Sequence, residues 1–76
     1  MYKFLIIIEK ANGNYSAYSP DLLGCIATGK GIEEVKKNMR EAIKFHIEGL
    51  LGERLSIPQP HSQPEYVTIE AGSHLK

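Results

Sequence analysis

The hydrophobic pattern of the chain alternates over its first 28 residues and changes to a helical period after residue 31. Residues 2–9 are rich in isoleucine and aromatic residues, which favours a strand with one face formed by Tyr2, Phe4, Ile6 and Ile8. Asn12-Gly13 is typical of a tight hairpin turn. Residues 14–18 then predict a returning strand, Pro20-Asp21 a turn, and residues 25–28 a third strand.

The period-3.6 segment begins at Ile32 and predicts one long helix. Gly31 can act as its N-cap, Glu33 and Glu34 suit the positive end of the helix dipole, and Gly52 is the expected stop. The apolar or near-apolar positions form a single stripe, at residues 32, 35, 39, 42, 43, 46, 47 and 50.

The last twenty residues predict an extended connector, a strand and a frayed end. Residues 57–64 contain three prolines in eight positions, which excludes a helix or a central strand. Residues 65–71 alternate well enough for a final strand, and residues 72–76 should fray. The predicted fold is therefore α+β, in the order β-β-β-α-β, with one helix on one face of a small antiparallel sheet in a single domain spanning 1–76.

One helix covers only one face of such a sheet, yet the first strand is apolar on both faces. Leu5 and Ile7 lie opposite the Phe4, Ile6 and Ile8 face. We expect this second face to be covered by a second copy or a protein partner, with Leu5 and Ile7 as oligomer contacts. The alternative is that the proline-rich segment folds back over it.

Composition removes several classes of protein. Nine basic residues balance nine acidic ones, so no net field attracts nucleic acid or a membrane. The apolar run Phe4–Ile8 is too short for a signal sequence or a membrane span. A single cysteine excludes an internal disulfide and suits a reducing cytoplasm, which is the expected location.

Candidate catalytic and metal-binding residues are few. Cys25 has no neighbouring base in sequence and is expected to fill the core, and His46 lies on the apolar stripe of the helix. His61 and His74 have no metal-ligand spacing, so we expect no metal, no cofactor and no catalytic residue. Asp21 is either an Asx-type turn residue or an exposed acceptor at a binding edge.

The run from Tyr18 to Cys25, the helix "EEVKKNMREAIKFHIEGL" and the closing "IPQP" together resemble the HicB antitoxin family over about residues 2–70. Family members usually have Leu-Pro-Gly where this chain has Leu22-Leu23-Gly24, and a Ser or Thr cap where it has Gly31. We therefore expect a weaker helix cap here.

The resemblance implies a partial RNase H-like fold and a partner, the small mRNA-cleaving toxin HicA, which such a protein would neutralise. Members often carry a C-terminal DNA-binding segment. This chain ends at Lys76 without one, so we expect no operator binding. Under this hypothesis the chain is a self-associating, non-enzymatic inhibitor, a dimer or tetramer, whose contact loop contains Tyr18, Pro20, Asp21 and Leu22.

The alternative is a weak RNA-binding or degenerate nuclease-like domain without catalytic residues. It rests on the basic residues of the helix, Lys36, Lys37, Arg40 and Lys44, but four glutamates interleave with them. Such mixed charge is more typical of a solvated face, because phosphate binding requires a net basic patch.

Overall fold

Three antiparallel strands and one helix make up the fold in the computed structural model, which describes residues 2–72. The strands are β1 (Ile7–Ala11), β2 (Asn14–Ser19) and β3 (Leu22–Gly29), arranged in the order β1-β2-β3. The helix α1 (Ile32–Gly52) packs mainly on β3 and to a lesser extent on β2. The predicted α+β class, with one helix on one face of an antiparallel sheet, is confirmed.

The first strand is shorter than the predicted 2–9 because its partner ends early. Ile7 pairs with Tyr18, and β2 stops one residue later at Ser19. Residues 2–6 therefore extend beyond the regular ladder, where the Ser19 hydroxyl donates a 2.9 Å hydrogen bond to the carbonyl of Leu5. The Asn12-Gly13 hairpin is confirmed, and Gly13 takes a φ of 77°.

The third strand is longer than the predicted 25–28 and contains a large bulge. Ser19 pairs with Leu22, whereas the preceding Tyr18 pairs with Ile26. Three residues of β3, 23–25, are therefore inserted against a single step of β2. Gly24 adopts a φ of 86°, a left-handed conformation that favours glycine, and so permits the distortion.

The helix begins at Ile32 as predicted, and its N-cap is Gly31, which has no side chain to accept a hydrogen bond from the first-turn N–H groups. At the other end Gly52 is still helical. The reversal occurs at Arg54, with a φ of 59°, where Arg54 N–H donates to the Leu51 carbonyl and Leu55 N–H to the Leu50 carbonyl. This pair of bonds forms a Schellman motif in which an arginine occupies the position usually taken by glycine.

The core is small, because one helix meets only two strands. Its buried residues come from β2, β3 and α1, and Phe4, Ile6 and Ile8 of the N-terminal segment pack against them from one side. The buried hydrophobic group consists of Ala17, Leu22, Cys25, Val35 and Met39.

The final strand predicted over 65–71 is not formed in the single chain: residues 55–72 contain no helix or strand. Its alternating pattern provides strand propensity but, in this structure, no neighbouring edge is paired with it. Of the residues predicted to fray, 73–76 lie outside the described part of the chain. No helix within residues 2–72 combines the length and apolar character needed to cross a membrane.

Candidate functional site

The turn between β2 and β3 is tied to the proline-rich connector through Asp21. The carboxylate of Asp21 accepts hydrogen bonds from the hydroxyl of Ser62 at 2.8 Å and from its backbone N–H at 3.3 Å. His61 Nδ1 lies 3.5 Å from the same carboxylate, with its ring largely exposed, while the Asp21 side chain is only 1% exposed.

These contacts change the interpretation of Asp21. The hydrogen bond from the Ser62 hydroxyl has the largest effect and holds the pKa of the carboxyl below its ordinary value of 3.8. Desolvation acts in the opposite direction, and the Ser62 backbone N–H and His61 lower the pKa further. The carboxylate is bound by a segment 41 residues away and is not a free acceptor at a binding edge. Asp21 thus anchors the connector, a long-range contact for which the sequence carries no local signal.

The surface of this turn includes only some of the predicted contact residues. Tyr18 is 42% exposed and Pro20 is exposed, as expected for contact residues. Leu22 is 1% exposed and packs in the core, so it is inaccessible to a partner in this conformation. The bulge instead projects Leu23, which is 90% exposed. The sequence signal for this exchange is Gly24, which permits the bulge.

The sheet face opposite the helix carries an apolar row across all three strands. Ile7 pairs with Tyr18, and Tyr18 pairs with Ile26, so the three side chains lie side by side on one face. Leu5 lies on the same side by alternation and is half-buried, whereas Ile26 is 70% exposed. We call Leu5, Ile7, Tyr18 and Ile26 the outer face. The predicted oligomer contacts Leu5 and Ile7 belong to it.

Two grooves flank the helix. The first, about 290 Å³, lies between residues 2–6 and the middle of α1. Its floor includes Phe4, Ile6 and Met39, and its rim carries three cations, Lys3, Lys36 and Arg40. We call this the basic groove. The second, about 390 Å³, lies between the β3 bulge and the end of α1, and is lined in part by Phe45, His46 and Glu53.

The residues with potential reactivity are dispersed. Cys25 is 4% exposed and burial raises the pKa of its thiol, which confirms its prediction as a core residue. His46 lines the second groove, and His61 faces Asp21. Among residues 2–72, histidine, cysteine and carboxylate side chains form no cluster of three or more that could hold a metal ion.

The sequence of this chain is similar to those of several known proteins. The chain is 40% identical over 67 residues to an uncharacterized 14.9 kDa protein of Haemophilus phage HP1, covering 80% of this chain but only 50% of that protein. It is 37% identical over 60 residues to a UPF0150 protein of Synechocystis sp., covering 78% of this chain and 76% of the relative.

A solved structure described as the HicA3 and HicB3 toxin-antitoxin complex contains a similar chain. The TM-score is 0.67 at 34% sequence identity, over 80% of this chain and 71% of that one. The profile of a family described as the HicB-like antitoxin of bacterial toxin-antitoxin systems matches residues 4–71, which includes the strands, the helix and the C-terminal segment. The chain therefore belongs to the HicB-like antitoxin family.

Proposed function

We propose that this protein is a non-catalytic antitoxin that binds and inhibits a HicA-type mRNA-cleaving toxin in the cytoplasm, and that it self-associates. The observation that supports this most directly is its similarity, in both fold and sequence, to a chain found in a HicA–HicB complex. The apolar outer face and the exposed turn provide the surface that such binding requires.

The proposed toxin contact is the surface of the β2–β3 turn. Tyr18, Pro20 and Leu23 expose an aromatic ring, a rigid pyrrolidine ring and an aliphatic side chain at this turn. Aromatic and aliphatic anchors of this kind supply most of the energy in protein interfaces. Asp21 and Leu22 support the turn from inside, Asp21 through Ser62 and Leu22 through the core.

Inhibition by covering the active site of a nuclease requires no chemistry from the inhibitor. It requires shape complementarity and a surface that does not itself attract RNA. The equal numbers of basic and acidic residues fit this role better than RNA binding does.

The test is co-expression with a HicA-type toxin, followed by growth measurement and co-purification of the complex. The decisive variant is Leu23→Asp, matched with Phe45→Asp on the helix. The two side chains are 90% and 81% exposed, so neither change disturbs the core. We expect Leu23→Asp to weaken toxin binding at least about tenfold and to restore toxicity, because a charge replaces an interface anchor, while Phe45→Asp still protects.

If both variants protect equally well, the turn is not part of the toxin interface. A wild-type chain that neither binds the toxin nor restores growth would refute the proposed function itself.

A further inference from the structure

The C-terminal segment 63–72, here called the arm, stands clear of the rest of the molecule. Its large side chains are almost fully exposed: Tyr66 by 101%, Val67 by 82% and Ile69 by 80%. The radius of gyration is 16.2 Å, where a compact chain of 76 residues has about 11 Å, and the longest dimension is 57 Å. The arm leaves the molecule from a fixed point, because Ser62 is bound to Asp21.

The arm has the sequence of a strand that lacks a neighbour. Val67 and Ile69 alternate with Tyr66 and Thr68, and all four are residue types enriched in sheets. A strand in isolation leaves its backbone groups and one apolar face unpaired, so it is stable only when added to an existing edge. Extended residues span about 3.3 Å each, so the ten residues of the arm reach about 33 Å from their anchor.

The basic groove has the matching chemistry. Its floor is apolar, and it is lined by residues 2–6, which lead directly into the edge strand β1. Its rim carries Lys3, Lys36 and Arg40, whereas the arm carries Glu65 and Glu70. The second groove offers Glu53 on its rim and no lysine or arginine among its lining residues, so the arm's charges favour the basic groove.

We propose that the arm of one copy docks as an added strand in the basic groove of a second copy, with Val67 and Ile69 on its floor and the arm glutamates against its rim. The occupant is a second copy because the apolar side chains of the arm are almost fully exposed in the single chain, so the arm does not cover its own groove. An exchange in both directions gives a two-fold dimer with two identical contacts. This inference rests on the self-association in the proposed function and specifies its contact.

The first experiment measures the mass of the full chain by light scattering. We expect twice the 8.5 kDa chain mass for the wild type and the single chain mass for the double variant Val67→Glu/Ile69→Glu. Both side chains are exposed in the single chain, so the folded body, followed by circular dichroism, is retained. Thr68→Glu is the matched control: it adds charge to the opposite face of the arm and leaves the dimer in place.

A charge exchange tests whether the contact joins two chains. Glu65→Lys/Glu70→Lys gives a cationic arm, and Lys36→Glu/Arg40→Glu gives an anionic groove. Each of these variants alone presents like charges at both contacts and should be monomeric. A mixture of the two should form a heterodimer, because each arm then meets an oppositely charged groove.

Failure of this inference and failure of the proposed self-association give different results. A monomeric wild type refutes self-association as a whole. A second possible result is a dimer that persists in Val67→Glu/Ile69→Glu and is lost on substitution of the outer face, for example in Ile7→Glu. This result would support self-association but refute the role of the arm. A mixture of the charge variants that stays monomeric also overturns it.

Discussion

Gly29 lies where the sheet and the helix approach each other closely, and its replacement by alanine tests how the two are held together. A Cβ at Gly29 would lie 2.6 Å from the backbone nitrogen of Val35 and 2.9 Å from its Cα. These atoms belong to the first turn of α1, so they cannot rotate away as a flexible side chain could. The helix must move by several tenths of an ångström, which loosens the core around Val35 and Met39.

Overpacking of this kind costs about 1–3 kcal/mol, and we expect the upper half of that range because the obstructing atoms are backbone. A domain of this size has a total stability of about 4–11 kcal/mol, so the loss is a large fraction of it. Urea unfolding followed by circular dichroism, at one fixed protein concentration, measures the change in free energy of unfolding.

Gly49→Ala is the matched control, since an added Cβ there meets nothing within 4 Å and the site is inside the helix. It should stabilise the protein by up to about 1 kcal/mol. If Gly29→Ala is as stable as the wild type, the close approach of β3 and α1 does not constrain the fold and the reasoning is refuted.

Two further substitutions test the helix end and the anchor. Arg54→Gly should raise the free energy of unfolding by about 1 kcal/mol, because Arg54 occupies a left-handed conformation that costs a residue with a Cβ about 1–2 kcal/mol; an unchanged urea midpoint would contradict this. Asp21→Asn should remove a pH-dependent contribution to the free energy of unfolding. Because the pKa of the Asp21 carboxyl is lowered in the folded state, its ionised form stabilises the fold at pH values above the ordinary pKa of 3.8. This stabilisation is lost as the pH falls through the folded-state pKa. The difference between wild type and Asp21→Asn in urea unfolding should therefore be present at pH 6 and shrink towards pH 3, and a difference that grows on acidification would contradict the assigned sign.

The elements fixed by local chemistry could be predicted from the sequence. The hairpin follows from Asn12-Gly13, and the helix from a stripe of apolar residues that begins after Gly31. The sequence predicts the helix to stop at Gly52, because glycine is the usual left-handed residue after a helix end. In the structure Gly52 is still helical and Arg54 adopts that conformation, so the left-handed residue lies two positions beyond the predicted one.

The turn and the arm could not be predicted in full, because both depend on distant partners. Residues 20–21 predict a Pro-Asp turn, but no residue close to them in the sequence indicates that Ser62 binds the Asp21 carboxylate. At the bulge Leu22 is buried and Leu23 is exposed, the reverse of the predicted contact loop. The alternation of a regular strand does not indicate where a bulge occurs, so it could not predict this exposure. Residues 65–71 have real strand propensity, and propensity gives no information on which edge, or which chain, supplies the partner.

The arm exchange proposed above would also make the lifetime of the chain depend on its abundance. Endoproteases cleave extended, unprotected segments far faster than packed ones, and residues 65–72 are the apolar stretch that the isolated chain leaves open in this way. The proposed contact with a second copy covers the arm, and it is lost on dilution. A fall in concentration therefore exposes the cleavage sites, and degradation then accelerates the fall.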